Sequence, residues 1–225
     1  MRQMFHAELD SISAAVVEMT TMVSATLERA TEALLEADVS LAESVISSGP
    51  AIEDAYEALE DKAIDLLARQ SPVAGDLRII VAGLRGVSDL ERMGGLARHI
   101  AKIARLRYPQ CAVPELMRET IQEMSSAALS IARKAAEVVE SRDTKRALEL
   151  EVDDDRIDTL RRSLFETMLS PDWAYGVEPA IDMALVGRYY ERFADHAVEV
   201  ARLVIYMVTG EKARLLLAET RAATK

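Results

Sequence analysis

The chain has 225 residues, half of them hydrophobic but only 4% aromatic, with 9 Gly, 6 Pro, a single Cys and a formal net charge of −11. An acid excess of that size excludes a general nucleic-acid binder, which needs surplus Lys and Arg on one face, and favours cations or basic partners. The lone Cys111 excludes an intrachain disulfide, and the scarcity of strand-type alternation and of Asn-Gly or Asp-Gly turns argues against a sheet, so the fold class is expected to be all-α with an aliphatic core.

Apolar residues recur at three- and four-residue spacing from Phe5 to Leu35, through Leu9, Ile12, Val16, Met19, Val23 and Leu27, which predicts a long first helix. Asp38-Val39-Ser40 reads as a turn and cap. The second helix that follows ends near Gln70 and is kinked or split at Gly49-Pro50, because Pro removes an internal hydrogen bond and clashes with the preceding turn. Ser71-Pro72-Val73-Ala74-Gly75-Asp76 is the next connector, with Asp76 placed to cap a third helix reaching Arg107, and Tyr108-Pro109 closes the half. The plan then repeats: helices over Pro114 to Ser141, Asp143 to Leu169 and Glu178 to Val208, a connector at Pro171-Asp172-Trp173, and Gly210 as the stop. This gives a first three-helix bundle over 1–109, a second over 110–210 and a tail over 211–225. The tail's Leu215, Leu216 and Leu217 either extend the last helix or pack on a partner.

Internal duplication supports that division. Leu90-Glu91-Arg92-Met93 leads to Ala97 and Ala101, and Tyr190-Glu191-Arg192-Phe193 leads to Ala197 and Ala201, one hundred positions later (191 − 91). A repeat this long is a small helical bundle with its own core rather than a solenoid unit.

On the last helix Val186, Tyr190, Phe193, Ala197, Val200, Val204 and Val208 share one face, and Arg188, Glu191, Arg192, Asp195, His196, Glu199 and Arg202 share the other. Glu191, Asp195 and Glu199 lie at successive i+4 steps and form an acidic ridge. Glu53, Glu57, Asp61 and Asp65 form another on the second helix, and the fifth helix adds Asp153, Asp154, Asp155 and Asp158. Like charges at this spacing repel, so they are offset by basic neighbours or by a hard cation taking oxygen ligands. Basic neighbours are present at three-residue spacing: Arg188 for Glu191, Arg192 for Asp195 and Arg202 for Glu199. Of the histidines, only His196 is placed to be a ligand. No Glu stands three residues before any of them, which excludes a ferritin-type di-iron site, and no phosphate loop, nucleophile elbow or His-Glu-x-x-His helix is present. The chain is not expected to be an enzyme.

The two Glu-Arg segments, the Ser71–Arg78 connector and the two three-helix halves resemble the PhoU family, closest to actinobacterial members, over nearly the full length. The family motif, Glu-Arg-(apolar)-Gly/Ala-Asp-x-(small)-x-Asn-(apolar), is matched by Glu191-Arg192-Phe193-Ala194-Asp195-His196-Ala197-Val198-Glu199-Val200, with Glu199 where Asn is usual. The first copy departs further: Gly95 replaces the motif Asp and His99 the Asn. The resemblance implies a cytoplasmic regulator that keeps phosphate-starvation signalling off by linking the ATPase subunit of a phosphate ABC transporter to a sensor histidine kinase. It further implies a homodimer, while the acid excess argues against nucleic-acid binding and the lack of any apolar run near the ~18 residues needed to cross a bilayer argues against membrane insertion. It also implies ions such as iron, zinc, manganese or magnesium held by Glu191 and Asp195, and in part by Glu91, and the acidic ridges add Glu199, Asp154 and Asp158 as candidate ligands. Arg78, Arg92 and Arg192 are the candidates for partner contact. The alternative is a metal-binding or metal-buffering helical protein.

Overall fold

The computed structural model describes residues 2–211 and 213, and among them every regular element is helical. The all-α class holds. The helices are α1 (Arg2–Glu36), α2 (Val39–Ser47), α3 (Gly49–Gln70), α4 (Ala74–Arg107), α5 (Arg118–Ser141), α6 (Thr144–Met168) and α7 (Val177–Thr209), with a short 3-10 turn at Glu115–Met117 before α5. The expected tail residues Leu215, Leu216 and Leu217 lie outside the described residues.

Local chemistry sets most helix ends. The Asp38 carboxylate accepts from the Leu41 amide at 2.9 Å and starts α2, while Asp143 accepts from the Lys145 and Arg146 amides and starts α6. Pro50 splits the expected second helix into α2 and α3 and sits in the first turn of α3, where its missing N–H costs nothing. Gly49 beside it leaves room for the Arg98 guanidinium, which a Cβ there would push aside. Asp76 differs from expectation. The cap position of α4 falls to Val73, in extended conformation, and Asp76 lies inside the first turn, where its charge complements the helix dipole. Gly210, at φ 80°, ends α7 in the left-handed region that favours glycine, and its N–H bonds the Tyr206 carbonyl.

Each half is an up-down-up unit. Within the first, α1 and α4 run parallel in close contact: a Cβ on Gly83 would strike Ile12, and one on Gly94 would lie 2.7 Å from Ile52 Cδ1 of α3. The second half is inverted against the first. Thr31 of α1 meets Ser125 of α5 and Asp10 meets Arg142, so those helices are antiparallel, as are α4 and α7. The result is a central four-helix bundle in which α1 meets α4, α4 meets α7, α7 meets α5 and α5 meets α1, with α2 and α3 packed against α1 and α4, and α6 packed against α5 and α7.

A separate core for each copy was expected, but the buried residues of both halves form one continuous cluster. Fully buried Tyr190 and Phe193 of α7 pack with Leu27 and Leu34 of α1 and Leu90 and Met93 of α4 in that cluster, each large apolar side chain contributing about 1.5–3 kcal/mol. Burying the Tyr190 hydroxyl requires a partner. It sits 2.7 Å from Thr31 Oγ1, which itself donates to the Leu27 carbonyl and also meets Ser125 Oγ at 3.0 Å. The expected apolar face of α7 is buried except Val208, which is exposed at the helix end.

Candidate functional site

The α4–α7 seam carries both Glu-Arg segments and has an approximate two-fold symmetry. At one end the Arg107 guanidinium donates to Asp182 at 2.5 Å and pairs with Glu178 at 2.9 Å, and this raises its affinity for its proton. At the other end Arg78 Nε donates to the Met207 carbonyl at 3.3 Å. The pairs 107/178 and 78/207 have the same index sum (107 + 178 = 78 + 207), as a two-fold between copies one hundred residues apart requires. Between the ends, His99 stacks on Tyr189 at 5.3 Å and His196 Nδ1 lies 3.0 Å from Asp89 Oδ1. Sequence reasoning placed His196 on the outward face. It is buried instead, with its Nε2 3.3 Å from Arg192 Nη2. An imidazole enclosed this way is a seam contact. Neither Asp89 nor Asp182 was singled out beforehand, because only the antiparallel pairing of α4 with α7 brings their partners to them.

The acidic ridge of α7 is divided by depth. Glu191 is turned toward α6 with its side chain only 13% exposed, and it pairs with Arg161 at 3.0 Å as well as with Arg188 at 2.5 Å. Asp195 and Glu199 are more open and pair with Arg192 at 3.8 Å and Arg202 at 3.0 Å. Arg202 also reaches Glu151 of α6 through two hydrogen bonds, of 2.5 and 2.8 Å. All three basic neighbours expected from spacing are therefore in place, and α6 adds Arg161 and Glu151, which periodicity on α7 could not supply.

The carboxylates facing one another across α6 and α7 are not fully compensated. Asp154 is pushed up from 3.8 to about 6, by burial first and then by Asp195, Asp158 and Glu151, with Arg202 opposing. Asp195 is raised as well, by burial first and then by Glu191, against Arg192, Arg188 and His196. Asp154, Asp158, Asp195 and Glu191 thus form one electrostatic cluster. Its oxygen donors suit a hard cation, although among the described residues no three carboxylate, imidazole or thiol groups converge on one point. The first copy differs. Glu91 has no cation within 4.0 Å among the described residues and influences Tyr56, whose phenol is pushed up by Glu60 first. Arg92 is exposed, 4.0 Å from Asp89, whereas Arg78 is engaged with the end of α7.

Two matches to the model of the PhoU domain, over residues 16–104 and 121–204, fall on the two structural copies. The chain belongs to the PhoU family. It is 47% identical over 210 residues to the phosphate-specific transport system accessory protein PhoU homolog 2 of Mycobacterium tuberculosis, covering 93% of this chain and 99% of that one. To the corresponding PhoU homolog 1 of Mycobacterium leprae it is 45% identical, covering 93% and 95%. The resemblance to actinobacterial PhoU proteins is therefore a relationship of sequence along nearly the whole chain. The fold agrees: the crystal structure of the phosphate transport system regulatory protein PhoU from Streptococcus pneumoniae superposes with a TM-score of 0.84 at 25% identity, covering 93% of this chain and 99% of that one. PhoU from Pseudomonas aeruginosa gives 0.80 at 27%, covering 92% and 100%. Among the described residues no helix is long and apolar enough to cross a membrane.

Proposed function

We propose that this PhoU-family chain is a cytoplasmic regulator of phosphate uptake that keeps phosphate-starvation signalling off when phosphate is plentiful, by linking the ATPase subunit of a phosphate ABC transporter to a sensor histidine kinase. The observation that carries the reading is the 47% identity, extending over 93% of the chain, to a protein named as an accessory of a phosphate-specific transport system. The architecture supports an adaptor. Two inverted copies present separate charged faces, and such faces set orientation and association rate more than raw affinity. Arg92 and Arg192, one from each copy, are the motif cations available for partner contact, and a homodimer is part of the same reading. Deleting the gene and measuring starvation-gene output in high phosphate tests it: constitutive output is expected, and output that stays off rejects it. Affinity capture of the chain should recover the transporter ATPase or the kinase.

A second reading, that the chain binds a divalent or ferric ion, is favoured by the elevated Asp154. A cation between α6 and α7 would relieve the repulsion from Asp195, Asp158 and Glu151 that, after burial, raises that carboxyl. Asp154, Asp158, Glu191 and Asp195 are the donors, with Glu199 at the edge and Glu91 as the remnant in the other copy. Ion binding should lower the apparent titration of Asp154 by more than one unit in carboxyl-detected NMR, and an unchanged titration in saturating ion removes this reading.

A further inference from the structure

The exposed residues of α4 include no carboxylate. Its acids Asp76, Asp89 and Glu91 are half-buried, while Arg85, Arg92, His99, Lys102, Arg105 and Leu106 are exposed, in a chain whose net charge is −11. Arg85, Arg92, His99 and Leu106 follow at seven-residue intervals, with Lys102 between the last two, so they form a stripe along the outward face about 32 Å long. Among the described residues no carboxylate lies within 4.0 Å of Arg85 or Lys102, and Arg92 has only Asp89, at that limit. The neighbouring acids do not quench the stripe, since Asp195 and Glu199 pair with Arg192 and Arg202 on α7 itself.

The stripe ends in an apolar patch. The Arg107–Asp182 pair and the His99–Tyr189 stack set an antiparallel register that brings the 102–106 turn of α4 level with the 181–185 turn of α7. Leu106 is 68% exposed, Val177 75% and Ile181 53%, and Leu185 is also exposed. Val177, Ile181 and Leu185 are spaced i, i+4, i+8 and so make one apolar ridge. Glu178, on the same turns, is drawn to Arg107 at 2.9 Å, which it shares with Asp182.

We infer that the α4–α7 face docks an acidic amphipathic helix of a partner protein, whose apolar side chains seat on Leu106, Val177, Ile181 and Leu185 and whose carboxylates meet Lys102, Arg92 and Arg85. Charge complementarity selects the occupant: uncompensated cations on an otherwise acidic molecule attract a narrow acidic rod. A nucleic-acid duplex has no apolar side chains for the patch formed by Leu106, Val177, Ile181 and Leu185. The inference rests on the adaptor reading for its biological setting, but the chemistry of the occupant is independent of it.

Photo-crosslinking amino acids placed at Leu106 and Ile181 of the full chain in cells, with the crosslinked segment sequenced by mass spectrometry, test the surface. The expected product joins both positions to an acidic amphipathic helix of another protein. Crosslinks to a second copy of this chain, to nucleic acid or to a non-acidic segment overturn the inference, as does the absence of any crosslink. Against the mapped helix as a synthetic peptide, Ile181→Glu with Leu185→Glu should weaken binding at least tenfold, and Lys102→Glu with Arg85→Glu at least fivefold in low salt. Unchanged affinity in either variant, with an unchanged helical spectrum and melting curve, overturns it. If gene deletion derepresses the starvation genes while the Ile181/Leu185 variant complements fully, the docking surface fails and the regulatory role stands. If deletion has no effect while the mapped helix binds as described, the reverse holds.

Discussion

In the second copy Glu191 lies between Arg161 and Arg188, Asp195 answers to Arg192, and Glu199 and Glu151 share Arg202. In the first copy the position of Asp195 is Gly95 and that of Glu199 is His99. Glu91 has no ion-pair partner within 4.0 Å among the described residues, and Arg85 and Lys102 are left facing outward. One ancestral segment has thus become two surfaces of opposite character, a partly compensated acidic cluster between α6 and α7 and a basic stripe on α4. The comparison teaches that the seam is held by Arg107–Asp182, His99–Tyr189 and His196–Asp89, while the positions one and two turns after the shared Glu-Arg pair decide what each copy presents to other molecules.

The two ends of the seam give the largest test of that asymmetry. Removing Arg107 strands the Asp182 carboxylate, whose side chain is 6% exposed, and a buried charge that loses its partner costs about 3 kcal/mol. Arg78→Ala forfeits one hydrogen bond to a carbonyl, about 1 kcal/mol. Denaturant melts of the two variants should therefore differ clearly, and equal losses would show that the ends are equivalent after all. Next in size is Gly94→Ala, which drives a Cβ to 2.7 Å from Ile52 Cδ1 and should cost about 1–3 kcal/mol by overpacking. The adjacent Gly95→Ala meets only Arg98 Nη2 at 3.9 Å and should be neutral or slightly stabilising in the same melts.

A smaller effect separates the copies by pH. Asp154 binds its proton more tightly folded, at about 6, than its ordinary 3.8, so protonation favours the fold. Its contribution is fully present below about pH 4 and is lost as pH rises through 6. Asp154→Asn should accordingly raise Tm at pH 7.5, and its advantage over the parent should fade toward pH 4. An advantage that persists unchanged at pH 4 would place the cause elsewhere. The smallest expected change in stability, and the most direct bridge between copies, is Gly95→Asp. It restores the motif carboxylate where there is room for it and should add an ion-binding event to the first copy by calorimetric titration of the full chain. No added heat would break the link between motif and metal.

What was legible in the sequence was local or repeated. Asp38 and Asp143 announced helix starts because a cap needs only its own next turn. Gly49-Pro50 announced a break for the same reason, and the hundred-residue offset announced the duplication. The arginines at three-residue spacing from the α7 carboxylates were equally visible. Asp76 misled because Val73 and the chain direction after Pro72 set the helix start first. Arg161 and Glu151 escaped notice because they come from α6, and the burial of His196 follows from Asp89 across the seam, at a separation of 107 residues. The expectation of two separate cores failed on the same ground, since the apolar faces of α1, α4, α5 and α7 do not reveal which of their neighbours they meet.

The inverted pairing of α4 with α7 also bears on where this architecture came from. A lone ancestral unit would have left the face now closed by its sister open to water, and a two-fold contact is self-complementary by construction. The present chain therefore has the form of a homodimer fused by gene duplication, its former dissociation constant replaced by a fixed effective concentration set by the short link from Arg107 to Arg118. Cutting that link should return the molecule to its earlier condition, in which the halves hold together only as long as they are concentrated enough to find each other.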